Sequence, residues 1–163
     1  MMLEVILKLL EVSFWSGIAA LGFGLLFNIP KNSILTVFLL GAGAGFIKFL
    51  LMHFDIHVVL ASFIAASFVG FISVPLAHKI HQPPVVFSIP PVIPMIPGYF
   101  AYETVLSIMN FTFMVDDSQK RLQLIDAIFT NGFTMVFVLI SLTVGVALPM
   151  LLMKKSTVKH LDN

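Results

Sequence analysis

Lys48 is the one base set firmly inside an apolar stretch, six residues before Phe54, or about 9 Å of helix. Glu103 follows a long uncharged run, and Asp126 heads a polar stripe in the last apolar segment. Tyr99, Tyr102, Asn131 and Thr134 add hydroxyl and amide groups at helical spacings from these. A base, two acids and a few neutral donors suit holding a small carboxylate and passing a proton. They do not suit covalent catalysis: no Ser/His/Asp set, HExxH or paired carboxylates at catalytic spacing occurs. His53, Asp55 and His57 lie close together, but no third or fourth metal ligand is evident nearby, so interfacial histidines in a short turn are the simpler reading. No metal site and no cofactor are expected.

These side chains need a framework in which polar groups are rare. The chain is 59% hydrophobic and 10% charged, with mean hydropathy +1.06. Soluble domains carry about 25% charge, so the sequence is that of an integral membrane protein. A net charge of +1 without basic clusters excludes a nucleic-acid partner. The absence of cysteine excludes disulfides, thiolate metal sites and a cysteine nucleophile. Glu4 and Glu11 at the N-terminus do not suit a cleaved signal peptide.

At about 20 residues per span, 163 residues allow four to six crossings. The hydrophobic pattern gives five, over residues 3–27, 33–54, 58–77, 85–111 and 122–153, in a single transmembrane domain 1–163. The expected fold is an all-α polytopic bundle. Ala20 and Gly24 make a small-xxx-small surface in the first span, and Gly41 and Gly45 form GxxxG in the second. Ser62, Ala66, Gly70 and Ser73 line a packing seam in the third. Asp126, Thr130, Thr134, Phe137, Ser141 and Gly145 follow one stripe of the fifth, expected to face the bundle, with Asn131 beside it.

The fourth span is expected to be broken. Ser88 to Tyr99 holds four prolines and a glycine, within a run uncharged from Gln82 to Glu103. Proline inside a helix removes an amide donor and strands the carbonyl four residues back. Hydrocarbon cannot satisfy such groups, so the backbone from Pro90 to Gly98 must face protein or a wet cavity. Interrupted spans of this kind build transport sites near the bilayer midplane. A helix restarting at Gly98 or Tyr99 would aim unpaired amides and a partial positive charge at that depth, which favours a carboxylate.

Phe27-Asn28-Ile29-Pro30, and Val92-Ile93-Pro94-Met95-Ile96-Pro97-Gly98-Tyr99-Phe100-Ala101-Tyr102, resemble the threonine/serine exporter family. The chain is more closely similar to its small membrane subunit, equivalent to the C-terminal half of the fused exporter. The resemblance implies a bacterial plasma-membrane exporter driven by the proton gradient. Its substrate would be threonine and serine or, as in one split pair, a dicarboxylate such as succinate. It also implies a second membrane subunit corresponding to the other half. The family's Pro-Gly motif maps onto Pro94, Pro97 and Gly98, and Pro90-Pro91 departs from it.

The expected substrate contacts are therefore Lys48, Pro94, Pro97, Gly98, Tyr99, Tyr102, Asn131 and Thr134, with Glu103 or Asp126 carrying a proton. Gly41, Gly45 and Gly70 are expected in helix packing. Two readings of Lys48 stand side by side. Its stem can snorkel to the interface, or it stays inside, at about 2.5–3.5 kcal/mol unless an anion meets it. Glu103 is either a proton carrier or a structural group, ion-paired with Lys48 or hydrogen-bonded to neighbouring helices. Lys31, Lys79, Lys154, Lys155 and Lys159 outnumber Lys8, Lys120 and Arg121, which puts the C-terminus in the cytoplasm and the N-terminus outside. Exposed GxxxG surfaces also allow a homo-oligomer. The rival reading is a structural subunit that assembles or gates a partner without touching substrate.

Overall fold

A computed structural model describes residues 2–113 and 117–153. Lys154, Lys155 and Lys159 of the charge count, and Asp116, lie outside the described residues. The described chain is helical without a strand: α1 (Met2–Leu26), α2 (Ile34–His53), α3 (Val58–Ile80), α4 (Val85–Val92), α5 (Gly98–Phe113) and α6 (Ser118–Leu152). α1, α3, α6 and the stretch Lys31–His53 that contains α2 are each long and apolar enough to cross a bilayer. The pair Val85–Met95 and Gly98–Phe113 meets the same test together, bent by 46°. This is the all-α bundle of about five spans with its fourth interrupted. A turn of 46° bends the chain without reversing it.

The first three helices stop in the same way. Asn28, Asp55 and His81 adopt φ of 51°, 60° and 57°, the left-handed region that these residue types enter more readily than most. After Asn28, the Ile29 amide reaches back to the Gly24 carbonyl at 3.1 Å and the Asn28 amide to Leu25 at 3.0 Å. Ile56 to Leu51 at 3.1 Å and Gln82 to Ala77 at 3.0 Å repeat the longer bond. Each satisfies carbonyls that a helix end would otherwise strand in or near lipid. The His57 Nδ1 accepts the Val59 amide at 3.3 Å and so opens α3, while Asp117 caps α6 by accepting from Gln119 at 3.0 Å. His57 is a helix cap.

Two close helix pairs make the bundle. α1 crosses α2 where a methyl on Gly41 would strike the Ala20 side chain, and one on Gly45 would strike Ser16. The Ser13 hydroxyl donates to the Ala42 carbonyl at 2.7 Å across the same seam. α3 crosses α6 at Gly70 and Gly145: a Cβ on Gly70 would lie 2.8 Å from the Val146 carbonyl, and one on Gly145 would lie 2.9 Å from the Phe63 carbonyl. Lipid gives apolar side chains no reason to associate, so backbone approach through small residues supplies the contact. Ser62, Ala66, Gly70 and Ser73 are all buried in that α3 seam.

α4 is tucked among α1, α2 and α3, with Phe87, Pro90 and Pro91 fully buried. By contrast α5 packs chiefly on α6 and buries only Ser107. Thr104 sets the α5–α6 register, its methyl 3.6 Å from where a Cβ on Gly132 would sit. Arg121 stacks over Phe111 at 4.6 Å. α6 is 35 residues long, about 50 Å at 1.5 Å per residue, so it outreaches a hydrocarbon core of about 30 Å.

Candidate functional site

The interruption is narrower than the proline count suggests. Pro90 and Pro91 lie inside α4, and a 3-10 turn over Ile93–Met95 extends the helical path. α4 is only eight residues long, so these prolines fall in its last turn. There they strand just the Val86 and Phe87 carbonyls. The helix gives way at Ile96, with φ −56° and ψ 134°, an extended conformation favoured before proline. The backbone expected to be open from Pro90 onward is thus open only at Ile96–Pro97.

Around that point the chain forms a pocket of about 320 Å³. Lys48, Pro94, Pro97, Gly98 and Tyr99 all line it, as do Ser16 and Phe100. The Lys48 side chain does not snorkel: it is 9% exposed, and its ammonium donates to the Met95 carbonyl at 3.1 Å. In an unbroken helix that carbonyl would accept the Tyr99 amide. The break removes this donor and Lys48 replaces it. Among the described residues neither Glu103 nor another acid is its hydrogen-bond partner.

Across the gap α5 starts at Gly98. Its first intrahelical bond runs from the Ala101 amide to the Pro97 carbonyl at 3.1 Å. The Tyr99 and Phe100 amides precede it and belong to the donors that a helix start leaves unmade. Both residues border the pocket that Lys48 borders. Among the described residues a Cβ on Gly98 would meet nothing within 4 Å, so none of them demands glycine there. An ammonium and a helix N-terminus facing one space form an anion-attracting site.

Other expected contacts lie elsewhere. Tyr102 is exposed on α5, Glu103 is half-buried on the same helix, and neither borders the pocket. Asn131 and Thr134 are half-buried on α6, away from Lys48. Asp126 and Thr130 are exposed, as is Phe137, so this part of the polar stripe faces out of the chain instead of into its bundle. The register of α6 accounts for this: its C-terminal half packs on α3 at Gly145, while at Gly132 in its N-terminal half the neighbour is Thr104 of α5. Three openings are larger: about 440 Å³ beside Asn28 and Gln82 and about 420 Å³ between α4 and α6, neither lined by a charged residue, and about 390 Å³ between α1 and α2, lined by Lys8 and His53.

Sequence reasoning missed Ser16 and the Met95 carbonyl. Ser16 sits four residues before Ala20 on the α1 packing face, but its proximity to the break is a tertiary fact. A main-chain acceptor leaves no mark in the side-chain pattern.

An all-α polytopic membrane protein with one interrupted span is the class this fold defines. Within it, the chain belongs to the threonine/serine exporter (ThrE) family, whose model matches residues 12–152. The family is one of transporters and implies a cell-membrane location. The chain is 32% identical over 146 residues to an uncharacterized protein of Haemophilus influenzae, an overlap taking in 90% of this chain and 48% of that protein. It spans about half the length of that curated relative. No solved structure matches it.

Proposed function

We propose that this chain forms one half of a secondary exporter for small carboxylate-bearing metabolites, with the pocket at the break as its anion site. The observation that carries this reading is the meeting of the Lys48 ammonium and the free start of α5 on one pocket. Family membership supports threonine or serine as substrate. A dicarboxylate such as succinate needs more positive potential than one lysine provides, so for that substrate the second membrane subunit must bring further bases.

The same subunit is the natural cover for the outer face of α5 and α6. Tyr102 and Thr130 are exposed there, and polar groups at hydrocarbon depth are disfavoured against lipid. The half-length match to a longer relative supports a missing half of similar size. Glu103 is the proposed proton carrier, being half-buried and one turn past the start of α5. Asp126, six residues before Gly132, lies about 9 Å further toward the start of α6. If the bent pair counts as one crossing, the five-span reading groups Lys31 and Lys79 on one side and Lys8, Lys120 and Arg121 on the other. With the C-terminal lysines on the first side, the C-terminus is cytoplasmic and the N-terminus outside.

The test loads cells with succinate or with a threonine-containing dipeptide. Efflux is compared in strains lacking and carrying this chain together with the second subunit. Faster efflux with both is expected. Equal efflux in the two strains would remove the proposal, and efflux that ignores a protonophore would remove proton coupling.

A further inference from the structure

We propose that Lys48 and the Met95 carbonyl form a latch across the break, and that a carboxylate opens it by drawing the ammonium away. This rests on the anion-site reading and adds a moving part to it.

The two sides of the break are held unequally. α4 and its 3-10 extension are anchored: Phe87, Pro90, Pro91 and Met95 are each at most 4% exposed. α5 buries only Ser107. They are joined by Ile96 and Pro97 alone, at a 46° bend. Gly98, the first residue beyond, has no atom within 4 Å of a notional Cβ. Such a joint can absorb a change in direction without a steric clash, as hinge positions do. The bond from Lys48 to Met95 ties α2 to the last turn before the joint, and the break leaves Met95 without its helical donor.

The ammonium has three donors, and the pocket lies beside it. A carboxylate entering there offers a charged acceptor in place of a neutral carbonyl, and charge-assisted bonds are the stronger. As Lys48 turns toward the ligand, the Met95 carbonyl loses its donor and the last turn before Ile96 loosens. A ligand shifts such an equilibrium only by its difference in affinity for the two states. Here the difference is how fully the ammonium can turn to the ligand, with all three N–H groups when the latch is open and with two when one is held by Met95.

The chain has no cysteine, so labels can be placed at will. Spin labels at Ile89→Cys on α4 and Val105→Cys on α5, both exposed, report the angle at the joint in lipid nanodiscs. Without ligand, the wild-type background is expected to give a narrow distance distribution, Lys48→Arg a similar one, and Lys48→Met a broader, displaced one. Succinate or threonine should move the wild-type distribution toward that of Lys48→Met, while uncharged succinamide should not. If Lys48→Met misfolds, the ligand arm in the wild-type background decides alone. Coincident distributions for wild type and Lys48→Met, or no response to either carboxylate, would overturn the latch. The exporter reading is judged separately: efflux lost in Lys48→Met with unchanged distances would sink the latch and leave export standing. Displaced distances in a chain that exports nothing would do the reverse.

Discussion

The Lys48 ammonium donates to the Met95 carbonyl at 3.1 Å, although 47 residues separate them in the chain. The bond explains how a lysine lies 9% exposed in a hydrophobic helix. It faces backbone in the fourth span that the break leaves without its helical donor. Hydrogen bonds to charged groups contribute about 1.5–3 kcal/mol. That range is comparable with the cost of placing the charge there.

Lys48→Met should therefore lower carboxylate efflux by about tenfold to a hundredfold, the factor that about 1.5–3 kcal/mol represents. Lys48→Arg should retain more. Initial efflux rates at matched membrane expression decide between them, and equal rates for all three would contradict the site.

Glycine substitutions should divide by place. Gly41→Leu and Gly70→Val force side chains into Ala20 and the Val146 carbonyl, and overpacking typically costs about 1–3 kcal/mol. Gly22→Ala meets nothing within 4 Å and should leave the melting temperature unchanged or slightly raised. Thermal unfolding of the purified chain in detergent measures all three.

Gly98→Ala is the informative counterpart. Its Cβ also meets nothing, so melting should stay within about 0.5 kcal/mol of wild type, as for an unobstructed surface change. Efflux should still fall, because the new methyl occupies the mouth of the pocket beside Lys48. Unaltered efflux would move the substrate away from this end of α5.

The number of spans and the interrupted fourth were legible because hydropathy and proline act locally. The glycine seams were legible for the same reason, since Gly41, Gly45 and Gly70 mark backbone approach wherever the partner lies. The extent of the break was not. Pro90 and Pro91 read as helix breakers, yet in the last turn of a short helix they strand few carbonyls. The partner of Lys48 was also hidden, because it is a main-chain oxygen brought near by folding. The outward turn of Asp126 and Thr130 reflects how far α6 extends past α3, which depends on tertiary register.

Glu103→Gln removes a charge without changing shape. Export should then proceed only down the substrate gradient and should become insensitive to a protonophore. Radiolabelled efflux with and without the protonophore is the measurement, and retained proton dependence would pass the role to Asp126 or to the second subunit.

The most direct measurement is maleimide labelling of Tyr99→Cys in membrane vesicles, beside Val105→Cys one helix face away and Leu122→Cys near the start of α6. A hydrated anion pocket at the break predicts that Tyr99→Cys reacts, that succinate or threonine slows it, and that Leu122→Cys is indifferent to either. A Tyr99→Cys as inert as Val105→Cys, or one that reacts at the same rate with and without carboxylate, would contradict it.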